Sequence, residues 1–293
     1  IKFVQPKVVL TFIDNDFNFY TLKKNFPKII FISVQGGYRS KYRDFFASLK
    51  QFKKENKTLK LKADFIFLYG KAMFYEYSKF IKFKPVFFGS YRNNFVPIIK
   101  NKQKKRTLLF ISQFRTKNIL MGNSYNVEVK LLPLIADFCL KNNFKFSILG
   151  CSLQHKEDEK NFFSNVLSDK NWNFIERKSL LSNFTIVDKF ELITFIDSTL
   201  GYESIARKKK IAVFSTRKFN SYPAENFNWA LNLKKKGFFY SNEITKKEVF
   251  RVLKNVSTIN QKKMHKIYSN IFKKTINFNS NNIKLLKIIK KHT

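Results

Sequence analysis

The stretch ITFIDSTLGYESIARKKKIAVFS, Ile193 to Ser215, decides how this chain is read. Leu192–Ile196 is a short run of apolar and β-branched residues, the mark of a buried strand. Asp197, Ser198 and Thr199 make a tight polar turn, Leu200–Arg207 has helical character, and Ile211–Phe214 is the next buried strand. Strand, turn, helix and strand in immediate succession form the unit of a parallel α/β sheet. In such sheets ligands bind beyond the carboxyl ends of the strands, where loops are free and helix N-termini face outward. Ser198 and Thr199 stand at that position, and their hydroxyls with the first free backbone N–H groups can bind a phosphate. Gly201 lets the backbone approach a ligand or the neighbouring strand. Glu203, expected on the first helical turn, can accept from two ribose hydroxyls. The plainer reading, equally open from the residues alone, is a helix cap at Ser198 or Thr199 with Glu203 as its capping-box partner.

Outward from this unit the same alternation continues. Toward the N-terminus, Lys7–Ile13, Lys28–Val34, Asp64–Tyr69 and Pro85–Gly89 are predicted strands, with helices near Phe17–Lys24, Tyr42–Gln51 and Lys71–Phe80. Asn93–Lys105, with Pro97 and a cluster of lysines, reads as a linker. A second series follows: strands at Thr107–Ser112, Lys145–Leu149 and Trp172–Glu176, helices at Val127–Asn142 and Lys156–Leu167, and a loop with a short helix at Ser179–Lys189. Helices near Lys246–Asn255 and Gln261–Lys274 come last, with Ile283–Ile289 closing the chain. The expected fold is α/β, with two Rossmann-like lobes facing across a cleft. Their expected extents are residues 1–100 for an acceptor-side lobe and 101–275 for a nucleotide-binding lobe, with a C-terminal helix over 276–293. Because the chain starts at Ile1 with a strand close behind, the N-terminal lobe is expected to be truncated.

The 293 residues are 44% hydrophobic and 17% aromatic, as in a packed globular protein. No apolar run approaches the roughly 18–20 residues of a membrane-spanning helix. Two cysteines, Cys139 and Cys151, form neither a disulfide framework nor a metal cluster, and Cys139 is expected to be a buried, inert thiol. A reducing, cytoplasmic setting is the expectation. The net charge of +37 is spread along the chain among abundant Asn, Ile and Phe, so part of it is compositional. Attraction to the anionic inner face of a membrane is the expected consequence. No helix-turn-helix, RRM, KH or zinc-finger signature accompanies the charge, and a nucleic-acid partner is not expected.

Other strand ends supply further candidates. FIDNDF, Phe12 to Phe17, carries Asp14 directly after a strand and Asp16 two residues on. Transfer of a group to a hydroxyl needs a carboxylate that takes its proton, and Asp14 is the first candidate base, Asp16 the second. A turn rich in Asx chemistry is the competing reading, and Asp16 is also placed to cap the next helix. In SVQGGYR, Ser33 to Arg39, residues Gln35, Gly36 and Arg39 are candidates for holding an acceptor, although Gly-Gly alone also marks a plain βα turn. In SQFR, Ser112 to Arg115, Gln113 and Arg115 are candidates for contacts with phosphate, the arginine through its fork geometry. Gly150 ends another strand on the same side. Arg207–Lys210 reads as a solvated charge run that complements a helix C-terminus. His155, His265 and His292 are scattered, and no metal or cofactor site is assigned.

DSTLGYESIARKKKIAVFS resembles the donor-nucleotide segment of GT-B-type glycosyltransferases. The chain is most similar to a bacterial family of surface-carbohydrate (O-antigen) biosynthesis proteins. That family carries a T-F-I-D-N-type turn, a Q-x-G-x-R-like element and a D-S-T-L-G-Y-E helix, seen here at Thr11–Asn15, Gln35–Arg39 and Asp197–Glu203. The resemblance implies phosphate contact at Ser198 and Thr199 and ribose contact at Glu203. It implies a metal-independent, inverting glycosyltransferase that moves a sugar from a nucleotide donor, CMP-linked sugars among them, to a surface polysaccharide or lipid-linked acceptor. The His-Pro element of several Kdo and sialic-acid transferases is absent, which leaves the donor sugar open. The competing classes are a non-catalytic nucleotide- or carbohydrate-binding protein of the same fold and a charge-driven nucleic-acid binder.

Overall fold

A computed structural model describes residues 4–41, 44–99, 103–114, 125–216 and 225–293. Contacts divide the chain into two units, Ile98–Ser269 and a first unit that joins Ile1–Pro97 to Asn270–Thr293.

In the first unit, β1 (Val8–Thr11), β2 (Ile30–Val34), β3 (Leu61–Leu68) and β4 (Ile81–Phe87) form a sheet in the order β1-β2-β3-β4, with every pair parallel. The connections hold α1 (Asn18–Leu22), α2 (Asp44–Glu55) and α3 (Lys71–Ser78), and α4 (Tyr91–Phe95) follows β4. Edge strand β4 exposes Lys82 and Lys84 and carries Pro85, features that discourage pairing with another chain. The unit ends in α11 (Ile283–His292), whose Leu285, Ile288 and Ile289 pack on Ile32, Val34, Phe67 and Phe88 of the sheet. The terminal helix expected as a separate element over 276–293 is thereby part of this unit's core. Its apolar residues recur every three to four positions and cover one sheet face.

Asn93 and Asn94, read from sequence as the start of the linker, are buried. Ser90 caps α4 by accepting from the Asn93 amide, and the Asn94 amide group donates to the Phe88 carbonyl at 2.9 Å. The polar side chains satisfy backbone groups at a strand end, which is why a loop-like composition sits in the interior.

The second unit holds five parallel strands: β5 (Lys104–Ile111), β6 (Lys145–Leu149), β7 (Asn173–Ile175), β8 (Phe190–Phe195) and β9 (Lys210–Val213). Their spatial order is β7-β6-β5-β8-β9. The connecting helices are α5 (Tyr125–Lys141), α6 (Lys156–Leu167), α7 (Ser182–Lys189) and α8 (Thr199–Ala206). After β9 come α9 (Lys246–Thr258) and α10 (Gln261–Thr275), and the boundary between the units falls within α10. The chain winds outward from β5 through β6 and β7, then returns to the other side of β5 for β8 and β9. The gap between β5 and β8 is therefore the topological switch point, where parallel α/β sheets offer a crevice.

Arg207–Lys210 departs from the solvated run expected of it: Arg207, Lys209 and Lys210 are buried. Arg207 forms a buried ion pair with Asp188, donating from Nε to Oδ1 at 2.8 Å and from Nη2 to Oδ2. The Lys209 ammonium donates to the Asp188 carbonyl at 3.0 Å, and that of Lys210 to Glu191 at 3.0 Å. Burial pulls the Lys209 pKa down to about 8, with Asp188 opposing the shift. Acids on neighbouring elements, distant in sequence, turn a basic run inward.

Candidate functional site

The switch point is closed by a contact between two predicted residues' loops. Gln113, just after β5, accepts through Oε1 from the backbone N–H of Asp197, just after β8, at 3.1 Å. Ser198 is the N-cap of α8, with extended backbone angles and no side-chain capping hydrogen bond. The third helical position is Gly201, so no capping box exists here and that plainer reading is corrected. Glu203 is the fifth residue of α8, in its second turn and not the first, and its side chain is buried. Four-residue spacing places it on the same helix face as Thr199. Gly201 serves the sheet: a β-carbon there would overlap the Phe195 ring. Its absence seats α8 close against β8 and fixes where the helix begins.

Gly150 follows β6, and its N–H donates to the Ile175 carbonyl at 3.0 Å. A β-carbon there would meet the Phe174 ring at 2.8 Å and Glu159 Oε2 at 3.2 Å. Glu159 itself was not anticipated. It is fully buried on α6, and its carboxylate accepts from the Cys151 N–H at 2.9 Å, the Ser152 N–H at 2.9 Å and the Ser112 hydroxyl. This carboxylate locks the ends of β5 and β6 together through neutral donors. The signal was present in the sequence: Glu159, Phe163 and Leu167 recur at helical spacing, and all three are buried. Arg177, beyond β7, donates to the Cys151 carbonyl at 2.6 Å on the same rim. Cys139 is buried, and burial pushes its thiol up to about 12, the inert state expected of it. Arg115, expected near the phosphates, lies outside the described residues.

In the first unit the structure brings together Asp14, Gly36 and Arg39, but in a buried cluster. Asp14 is 0% exposed and accepts from the Gly36 N–H at 2.8 Å, from Arg39 Nε at 3.0 Å, from Arg39 Nη2 and from the Tyr77 hydroxyl. The Tyr20 hydroxyl donates to the Asp14 carbonyl at 2.8 Å and lies 2.9 Å from Ser33 Oγ. Burial first, and then the Asp14 charge, push the Tyr20 and Tyr77 hydroxyls well above the usual phenol range. A general base must offer a lone pair to an incoming hydroxyl. Four donors and complete burial leave Asp14 no such approach, which corrects its assignment as the first candidate base. Gln35 is likewise internal: Oε1 accepts from the Tyr69 N–H at 2.9 Å, and Nε2 donates to the Gly37 carbonyl at 2.9 Å. Its amide staples the β2 loop to the end of β3 and is not presented to an acceptor. Asp16 is exposed, with one carboxylate oxygen holding the Asn18 N–H at 3.0 Å. Among the described residues no three side chains of His, Cys, Asp or Glu converge as a metal site, and no helix is long and apolar enough to cross a membrane.

Two units with parallel sheets, the second one doubly wound with a helix N-terminus at its switch point, place the chain in the α/β class with a GT-B-like fold. Solved structures share it. S. aureus MnaA in complex with UDP aligns over 99% of this chain and 75% of its own, with a TM-score of 0.57 and 14% identity. UDP-GlcNAc 2-epimerase from Neisseria meningitidis, bound to UDP-GlcNAc, aligns over 99% of this chain and 78% of its own, with a TM-score of 0.52 and 14% identity. The Methanocaldococcus jannaschii UDP-GlcNAc 2-epimerase, in complex with UDP-GlcNAc and UDP, aligns over 88% of this chain and 70% of its own, with a TM-score of 0.53 and 14% identity. Identities this low establish the fold alone. No curated protein matches the sequence. The family described as "putative O-antigen biosynthesis protein" matches residues 32–293, and the chain belongs to that family.

Proposed function

We propose that this protein is a glycosyltransferase that moves a sugar from a nucleotide-sugar donor to a surface polysaccharide or a lipid-linked acceptor. The observation behind this reading is the start of α8 at the β5/β8 switch point, where the Ser198 hydroxyl is not spent on capping. The first turn of a helix carries N–H groups without intrahelical acceptors and the positive end of its dipole, which suit a pyrophosphate. Ser198 and Thr199 would hold the phosphates, with Gln113, Gly150 and Arg115 around them. Glu203 would accept from the ribose hydroxyls. Charge that develops on the leaving phosphate would be met by the same helix end, with no step routed through a metal.

In the inverting reaction the acceptor oxygen bonds to the anomeric carbon as the bond from that carbon to the donor phosphate oxygen breaks. The acceptor's proton passes to a carboxylate. With Asp14 enclosed, Asp16 takes the role of base, and Asp14 becomes a positioning residue that holds Gly36 and Arg39 in the acceptor-side turn.

UDP bound to structures of the same fold supports a uridine diphosphate donor ahead of a CMP-linked one. The likeness to 2-epimerases favours a second reading, epimerisation of the bound donor sugar. Thermal-shift titration with UDP, CMP and their sugar conjugates tests the site, since binding raises the melting temperature by mass action. Saturable stabilisation that weakens in Glu203→Ala and Ser198→Ala is expected, and no response to any nucleotide would refute the site. Product analysis with and without a glycan acceptor then separates transfer, epimerisation and binding without turnover.

A further inference from the structure

Two adjoining parts of the first unit, the end of β1 with α4 and the helix α11, carry exposed apolar side chains and cations, and an amide network joins them. At the end of β1, Phe12 and Ile13 are exposed, and the Phe12 ring lies 4.4 Å from that of Tyr91 on α4. Phe95, one helical turn beyond Tyr91, is 61% exposed, and Arg92 stands exposed between them. Asn282, immediately before α11, donates to the Tyr91 carbonyl at 3.0 Å and accepts from the Asn94 amide at 3.1 Å, while Asn94 accepts from the Asn279 N–H at 2.9 Å. This amide lattice fixes the start of α11 against α4. The side of α11 turned away from the sheet then exposes Ile283 and Leu286, followed by Lys287, Lys290 and Lys291. No acidic residue follows Glu248 in the chain, so nothing on α11 offsets these lysines.

We propose that this surface, formed by Phe12, Ile13, Arg92, Phe95 and the outer face of α11, is where the protein rests on an anionic lipid bilayer. Helices that lie in a membrane interface combine apolar side chains for the headgroup boundary with Lys and Arg for the anionic lipids. Both are present here. Charge with an aromatic ring would serve nucleic acid equally well, since bases stack on such rings, but that partner gives no use for exposed Ile13, Ile283 and Leu286. The inference is independent of the transfer reaction, since it concerns where the protein is held and not what it converts.

Co-sedimentation of the full chain with phosphatidylcholine vesicles, with and without phosphatidylglycerol, tests it. The wild type is expected to bind only the anionic vesicles. Lys287→Glu with Lys290→Glu and Lys291→Glu should weaken partitioning by at least about a hundred-fold, roughly five-fold for each cation lost and more for the anions gained. Phe95→Ser with Leu286→Ser should leave binding at low salt and abolish its residue at high salt. A control that reverses the exposed Lys160, Lys178 and Lys247 of the second unit should bind as the wild type does. Unchanged melting temperatures for all variants show that folding is intact. Equal loss in the control, no loss in the α11 variant, or displacement from the vesicles by a DNA duplex would each overturn the proposal. None of these readouts uses a nucleotide, so failure here is distinct from failure of the donor site.

Discussion

Arg39 grips Asp14 with two donors across 25 residues of sequence, from Nε to Oδ2 at 3.0 Å and from Nη2 to Oδ1. This pair joins the loop after β2 to the end of β1, and Asp14 is wholly out of solvent. Breaking a buried pair leaves an uncompensated charge, at a cost of about 3–5 kcal/mol. Asp14→Asn and Arg39→Ala should therefore each lower the unfolding free energy by that order, read from urea titration. Loss of transfer in Asp14→Asn at unchanged stability would instead restore Asp14 as the base.

Asp16, exposed at the same strand end, carries the complementary expectation. Asp16→Asn keeps an oxygen that can hold the Asn18 N–H, so stability should change by less than about 0.5 kcal/mol. Turnover should fall by roughly two orders of magnitude or more, with nucleotide affinity preserved. Activity within two-fold of wild type would remove Asp16 from the reaction.

Gly201 has no room for a side chain, because a β-carbon would overlap the Phe195 ring. Gly201→Ala should cost about 1–3 kcal/mol through overpacking and shift the start of α8. Nucleotide affinity should fall with it, and Gly201→Ala with Phe195→Leu should recover part of the stability. Full nucleotide affinity in the single variant would dissociate helix placement from binding.

Lys209 supplies a pH dependence. Its folded pKa of about 8 lies below the ordinary 10.5. Between those values the unfolded chain binds a proton that the folded chain does not, so this group makes stability rise with pH from about 8 to 10.5 and adds no slope below 8. The full penalty of the charged ammonium is present below pH 8 and is on the order of 3 kcal/mol. Lys209→Met should be more stable than wild type at pH 7 and should lack that rise, measured by denaturant titration across the range. A parallel pH profile in both proteins would contradict the assignment.

Glu159 draws its hydrogen bonds from neutral donors on two strand ends. Glu159→Gln would turn an amide N–H2 toward at least one backbone N–H and should cost about 1–3 kcal/mol. Ser112→Ala, which removes one donor of the set, should cost less. Equal melting temperatures for Glu159→Gln and wild type would show that the carboxylate is not needed to hold the β5 and β6 ends.

Local pattern along the chain dictates the alternation of strands and helices, and with it the parallel sheets. Buried parallel strands such as Ile30–Val34 and Lys145–Leu149 are mostly apolar runs broken only by a serine or a terminal lysine, and helix periodicity is local. Ser198 could be placed at a helix start because a short polar turn between an apolar strand and a helical run has few other meanings. Only the tertiary structure decided which polar residues face inward. Asp14, Gln35 and Arg207 all look solvent-directed in the string, yet each is buried because partners as far as 63 positions away in sequence satisfy them. The placement of α11 is of the same kind. Its apolar stripe says that it packs on something, but that this is the sheet of Ile32 and Phe67 follows from contacts between the two ends of the chain, which local pattern does not encode.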